Sequence, residues 1–456
     1  MKTTTYKFIL AFLSLFPFAA NAQNWKEVGG LNGLAANGNI SSICSDISGN
    51  IYIGGEFYNS SSNQYVAKWD GATWSELGGL DGLAADGPIR SICRYAGNIY
   101  AAGEFSNSGA TRYVAKWNGS AWSEVGGLNG LSANLSIYSI CSDVSGNIYA
   151  AGNFTNGATP SNGKKYVAKW NGTTWSELGG LNALDADSTI WSICSDASGN
   201  IYAAGVFTNS DGKKYVAKWN GIAWSETGGL NALGANDWIM SICSDTLGNI
   251  YAAGYFTNSG GKKYVAKWNG ATWSELGGLN ALAANDGILS VYSDSGGNIY
   301  AAGLFTNSGG NYYVAKWNGV TWSELGGLNS LAADGLINSV SGDASGNIYA
   351  AGNFTNSSFN NYLAEYSNGT GINPVTINNR FIIFPNPTNG SFTITFNDVV
   401  NNASVEVDNL AGERIFSEPV FSTLKKEINL KNISQGVYFV KVYDGEKEFC
   451  KKIVVN

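Results

Sequence analysis

Along most of the chain, short apolar runs alternate with breaks rich in Gly, Asn and Ser, and no run past the first residues reaches the length of a buried helix. Runs of about four to seven β-branched and aromatic residues bounded by turn residues predict strands. The pattern is also periodic. Gly-Asn-Ile-Tyr begins at Gly49, Gly97, Gly146, Gly199, Gly248, Gly297 and Gly346, with steps of 48, 49, 53, 49, 49 and 49. From the third copy onward one unit reads Ile-x-Ser-Ile-Cys-Ser-Asp, a turn ending Gly-Asn, Ile-Tyr-Ala-Ala-Gly-x-Phe, a polar loop, Tyr-Val-Ala-Lys-Trp, Asn-Gly-x-x and Trp-Ser-Glu-x-Gly-Gly. Four short strands in about 49 residues have the size of a propeller blade.

The two ends of the array complement each other. Trp25-Lys26-Glu27-Val28-Gly29-Gly30 is a lone fourth strand, and Tyr362-Leu363-Ala364-Glu365-Tyr366 is a lone third strand. A ring whose last blade takes its outer strand from the N-terminal end leaves no unpaired edge. Seven blades over residues 24–371 are therefore predicted. Six copies carry Lys in the third strand and Ser after the fourth-strand Trp, whereas the split blade has Glu365 and Lys26 there. These two are expected to face each other, an interaction of roughly 0.2–1 kcal/mol. The repeat resembles the bacterial seven-bladed β-propeller repeats with an Asp-x-x-Gly-Asn-apolar-Tyr core, here Asp196-Ala197-Ser198-Gly199-Asn200-Ile201-Tyr202. That resemblance implies a fold and no activity.

After Gly371 the period stops. Residues 372–379 read as a linker, and residues 380–456 show several alternating strands that suit a small Ig-like β-sandwich. Pro385-Asn386-Pro387 with Gly390, the Gly436-Val437-Tyr438-Phe439-Val440 strand and the basic-apolar end around Lys452 resemble the type A C-terminal sorting domain of the type IX secretion system of Bacteroidota. The resemblance implies export by that machinery, removal of the domain by its sortase-like processing enzyme, and attachment of the product to surface lipopolysaccharide. At the other end, Lys2 and Lys7, the apolar run Phe8 to Ala19 and Ala20-Asn21-Ala22 have the order of a cleavable signal peptide over residues 1–22.

Composition narrows the chemistry. A formal charge of −7 and a pI near 4.9 speak against a nucleic-acid partner, which needs clustered Lys and Arg. The absence of histidine removes Ser-His-Asp and Cys-His nucleophilic machinery and His-based metal sites. No cofactor or metal is expected. The fourth-strand Glu27, Glu76, Glu124, Glu177, Glu226, Glu275 and Glu324 occur once per blade and so read as structural. Asp46, Asp143, Asp196, Asp245, Asp294 and Asp343 lack the spacing of an EF-hand and read as turn anchors. Cys44, Cys93, Cys141, Cys194 and Cys243 share one repeat position, too far apart for disulfides, and read as small buried residues; Cys450 has no evident mate. The paired tryptophans of each blade read as packing residues.

Because the copies can be compared, their variation is visible within one chain. The start of the innermost strand reads Ser41, Arg90, Tyr138, Trp191, Met240, Leu289 and Asn338, with Trp238 nearby; the end of the second strand reads Glu56, Glu104, Asn153, Val206, Tyr255, Leu304 and Asn353. These positions and the four-residue insertion around Gly157 to Asn162 belong to one face, the nearly invariant turns to the other. Arg90, Tyr138, Trp191, Trp238, Met240, Glu56, Glu104 and Tyr255 are the candidate ligand residues, since aromatic rings with a few polar groups suit a pocket. Drift at solvent-facing positions would give the same variation. The expectation is a secreted or surface-displayed binding propeller for a glycan or protein. The alternatives are a carboxylate-dependent polysaccharide-degrading enzyme and a structural surface-layer component.

Overall fold

The computed structural model describes residues 25–157, 163–367, 381–400, 403–410, 412–421, 423–430, 433–444 and 447–456. The expected signal peptide, the linker and most of the insertion after Gly157 lie outside these residues. The regular elements among them are all strands. They fall into two compact units, within Ala22–Asn368 and Gly369–Asn456.

The first unit holds seven four-stranded antiparallel sheets. In the fourth, the strands are Ile190–Ser195, Ile201–Gly205, Ala217–Trp219 and Trp224–Glu226, paired in that order from the innermost outward. The second strand, Ile-Tyr-Ala-Ala-Gly, is buried along its whole length because neighbouring sheets cover both faces. Its small residues are required there. A Cβ on Gly54 of the first sheet would come within 2.6 Å of Ile89 Cγ2 of the next. Each sheet also encloses one fully buried phenylalanine, Phe256 for example, with a tyrosine ring edge-on at 4.9 Å.

The sheets are locked to one another by a repeated bond. The outer-strand tryptophan donates its indole N–H to a backbone carbonyl of the preceding sheet, from Trp122 to Leu77 at 2.7 Å and from Trp273 to Thr227 at 2.9 Å. The split sheet obeys the same rule. Trp25–Glu27 pairs with Ala364–Tyr366, placing Lys26 opposite Glu365 with Nζ 3.3 Å from Oε2, and Trp25 donates to the Leu325 carbonyl at 3.1 Å. The innermost strand of the first sheet packs against those of both the second and the last. A Cβ on Gly29, at φ +85°, would lie 3.0 Å from Trp69 and Trp74, so the first glycine of the Gly-Gly pair makes room for the next tryptophan pair, as Gly326 does for Tyr366 of the split sheet.

The second unit has two sheets. Phe381–Phe384, Ser391–Val400 and Thr423–Asn429 form one; Arg414–Val420, Ala403–Asn409, Gly436–Asp444 and Lys447–Val455 form the other. Phe392, Ile394 and Ile428 from the first and Val405, Val440 and Ile453 from the second share one core.

Candidate functional site

At one end of the sheets the carboxylates are fully employed by the fold. Asp196 Oδ1 accepts from the backbone N–H groups of Ser198 and Asn200, and its Oδ2 accepts from Asn200 Nδ2 at 2.7 Å and the Tyr202 hydroxyl at 3.1 Å. The same Asn and Tyr donors serve Asp46, Asp143, Asp245, Asp294 and Asp343. Burial pushes the Asp245 carboxyl up, but the bonds from Asn249 and Tyr251 outweigh it and hold the group below its ordinary value. The second sheet closes instead through Ala96 and Gly97 at φ +45° and +79°, a two-residue turn that needs no aspartate.

The fourth-strand glutamates are occupied too. Each accepts from an asparagine of the loop between the second and third strands: Asn59 to Glu76, Asn258 to Glu275 at 2.9 Å, Asn356 to Glu27, and so on through all seven. This ladder was not anticipated, although Phe-Thr-Asn recurs at its loop in most copies. A cavity of ≈380 Å³ beside Asn258, Tyr264, Trp273 and Glu275 is lined largely by such recurring residues and so marks no single blade. The five cysteines are free, and burial pushes the Cys44 thiol up to about 12, against a smaller pull from Arg94 and with a push from Asp46.

The variable positions behave differently. In all seven sheets the innermost strand is irregular across the same residue: Ile40 and Ser42, Ile89 and Ser91, or Ile190 and Ser192 find partners, while the residue between them does not. A bulge frees a side chain from ladder pairing and re-aims it. The freed residues meet across blades. Arg90 bridges two carboxylates, Nη1 to Glu56 Oε1 at 2.6 Å and Nη2 to Glu104 Oε1 at 2.6 Å. The Tyr138 and Trp191 rings lie 4.4 Å apart at 32°. Asn338 Nδ2 donates to Asn39 Oδ1 at 2.7 Å, and beside the bulged positions the Thr189 hydroxyl donates to Asn153 Oδ1 of the preceding sheet at 3.2 Å.

Trp238, 44% exposed, meets Tyr255 edge-on at 5.9 Å, and Tyr255 in turn lies against Gly287, where an added Cβ would be 2.7 Å from its ring. Met240 is half-buried at the bulged position of the same sheet. Three of the candidate groupings are thus brought together as Arg90 with Glu56 and Glu104, Tyr138 with Trp191, and Trp238 with Tyr255. Trp191 Nε1 is buried and finds no acceptor among the described residues. An indole N–H in that state costs about 1–3 kcal/mol. Asp237 and Asp286, exposed beside Trp238 and Gly287, were missed in the sequence because they precede the bulge by three residues.

In the second unit the motif residues from both ends of the domain converge. Asn386 Nδ2 donates to the Lys452 carbonyl and Asn386 Oδ1 accepts from the Val454 N–H, each at 2.9 Å. Pro385 and Pro387 flank that asparagine, both after cis peptide bonds. Gly390, at φ +100°, accepts from the Leu430 N–H; Gly436 pairs with Val455, and the Tyr438 hydroxyl donates to the Ser434 carbonyl.

Residues 382–456 match the family described as the secretion system C-terminal sorting domain. The chain therefore carries the sorting domain of the type IX secretion system, which places the protein outside the cell or on its surface and implies a partner in that machinery. No curated protein matches the chain. Among solved structures it is similar to a six-bladed β-propeller lectin of Aleuria aurantia, with 16% identity and a TM-score of 0.39, covering 63% of this chain and 94% of that one. It is also similar to an ulvan lyase of a polysaccharide lyase family, with 13% identity and a TM-score of 0.41, covering 73% and 94%. A luciferin-regenerating enzyme aligns at 10% identity and a TM-score of 0.40, covering 76% and 95%. At that level of similarity they bear on neither ligand nor activity.

Proposed function

We propose that this is a non-catalytic binding protein, a closed seven-bladed propeller that is exported and grips a ligand at the mouth where its bulged residues meet. In this reading the signal peptide over residues 1–22 is removed, the Ig-like sorting domain directs export and is cut away by its processing enzyme, and the product is held by surface lipopolysaccharide. One observation carries the binding reading. In a chain whose blades repeat nearly residue for residue, seven bulged positions hold seven different side chains, and several of those meet their neighbours across or beside blade boundaries.

A rigid scaffold with one differentiated rim is the usual arrangement for recognition. Catalysis by a carboxylate pair has little support, because the recurring Glu and Asp side chains are engaged by Asn and Tyr, and Glu56 and Glu104 share Arg90. The test is a binding and turnover screen of glycans, polysaccharides and peptides on the full chain beside a Trp191→Ala/Trp238→Ala variant. Binding that the variant loses, with no turnover, supports the reading; turnover that one Asp or Glu substitution abolishes would replace it with the enzyme. Deleting residues 380–456 should in addition leave the protein in the periplasm.

A further inference from the structure

The mouth has two unlike halves. Around the first two sheets and the last its rim carries polar and charged groups, with Asn353, Asn338, Glu56, Arg90 and Glu104, and at the third Asn153 stands beside Tyr138, whose ring faces Trp191. Around the fourth to sixth it is apolar, with Trp191, Val206, Met240, Leu289 and Leu304 half-buried and Trp238 exposed. Within the apolar half stand two further carboxylates, Asp237 and Asp286, each of which accepts through one oxygen from the backbone N–H of the residue after it, its one hydrogen bond among the described residues. Burial first, then the charges of Asp286 and Asp237, raise the Tyr255 hydroxyl above its ordinary value, so both acids act on the ring at the centre of that half.

Resting on the reading that this mouth binds, we propose that its ligand is a polypeptide segment presenting a bulky apolar side chain beside a lysine or arginine. The aliphatic members of the half rim argue for this class. Val206, Leu289 and Leu304 offer a saccharide no hydrogen bonds and would desolvate its hydroxyls at a cost, whereas a leucine or aromatic side chain gains about 1.5–3 kcal/mol on full burial. The aromatic rings are also committed to one another, which leaves less flat surface for a sugar to stack on. Charge selects the basic neighbour. Four carboxylates, Glu56, Glu104, Asp237 and Asp286, stand against one guanidinium, so the mouth is negative, and complementary charge sets partner choice and on-rate. The lysines of the same face, Lys213 and Lys262 among them, sit on the loops between second and third strands, outward of the inner ring.

The test pans a random peptide library on the full chain and probes a glycan array in parallel. Enriched peptides should carry Lys or Arg next to Leu, Phe or Trp. A synthetic peptide of the enriched sequence should bind more weakly as salt rises and lose about tenfold or more in affinity to an Asp237→Asn/Asp286→Asn variant, about 1.4 kcal/mol. Both residues are exposed, so an unchanged melting temperature shows that the variant is folded. Enrichment of neutral or acidic peptides, or an affinity indifferent to the two aspartates, overturns the proposal. A silent library beside a glycan whose binding needs Trp191 and Trp238 overturns it too, but leaves the mouth as a binding site. Silence of peptides and glycans alike removes both.

Discussion

At one end of the fifth sheet, Asp245 gathers its donors into a turn that five other sheets repeat with the same Asn and Tyr; at the other end stand Trp238, Met240 and Tyr255, which no other sheet repeats. Both ends belong to the same antiparallel pair, the first closed by its turn and the second open. They differ in what the backbone asks of the side chain. The turn presents two backbone N–H groups to one oxygen of the side chain and the Asn249 amide and Tyr251 hydroxyl to the other, so a residue with two acceptor oxygens is held there. The bulge leaves its residue outside the ladder, so nothing in the sheet specifies it. In the proposed reading, stability and recognition fall at opposite ends of one small sheet.

The comparison can be broken most directly in the common core. Phe256→Ala, at 0% exposure, should cost about 3–5 kcal/mol in denaturant unfolding while leaving the mouth chemistry unaltered. A cost below about 1 kcal/mol would mean that the sheets do not depend on their shared packing. Asp245→Ala should cost about 1–3 kcal/mol, since it strands the Asn249 and Tyr251 donors.

The turn carboxylates also set a pH dependence. Asp143 and Asp245 are held below their ordinary value, so their contribution is fully present above the unfolded value near 3.9 and is lost as pH falls through the folded one. Melting temperature should be flat above about pH 5 and fall below about pH 4. A fall beginning near neutrality would assign acid sensitivity elsewhere.

Smaller effects sharpen the contrast. A double-mutant cycle on Lys26 and Glu365 should give about 0.2–1 kcal/mol, fading in salt, because Lys26 is 60% exposed. A larger coupling would make this ion pair, rather than the Trp25 bond and strand pairing, the device that holds the split sheet. Trp238→Ala should move stability by no more than about 0.5 kcal/mol; a loss like that of Phe256→Ala would show that the mouth is part of the core.

Much of the fold was legible because it is written seven times. The Gly-Asn-Ile-Tyr period, the orphan fourth strand at Trp25 and the orphan third strand at Tyr362 lead to the split sheet, and Lys26 does meet Glu365. The candidate residues were legible only as variation. Their partners were not, since Arg90 reaches Glu56 on another sheet and no local pattern encodes that reach.

From the sequence alone follow the strand composition, the number of repeats, the residues that anchor the turns and the sorting domain at the C-terminal end. Each depends on short-range chemistry: a period, a turn that needs Asp or Gly, an alternation of apolar residues. Only the tertiary structure decided that one residue per sheet escapes the ladder, that Tyr138 stacks on Trp191, and that the mouth divides into a charged and an apolar half. Those facts depend on how adjacent sheets are stacked and on which way a bulge aims its side chain, and both are properties of packing between repeats that no single repeat contains.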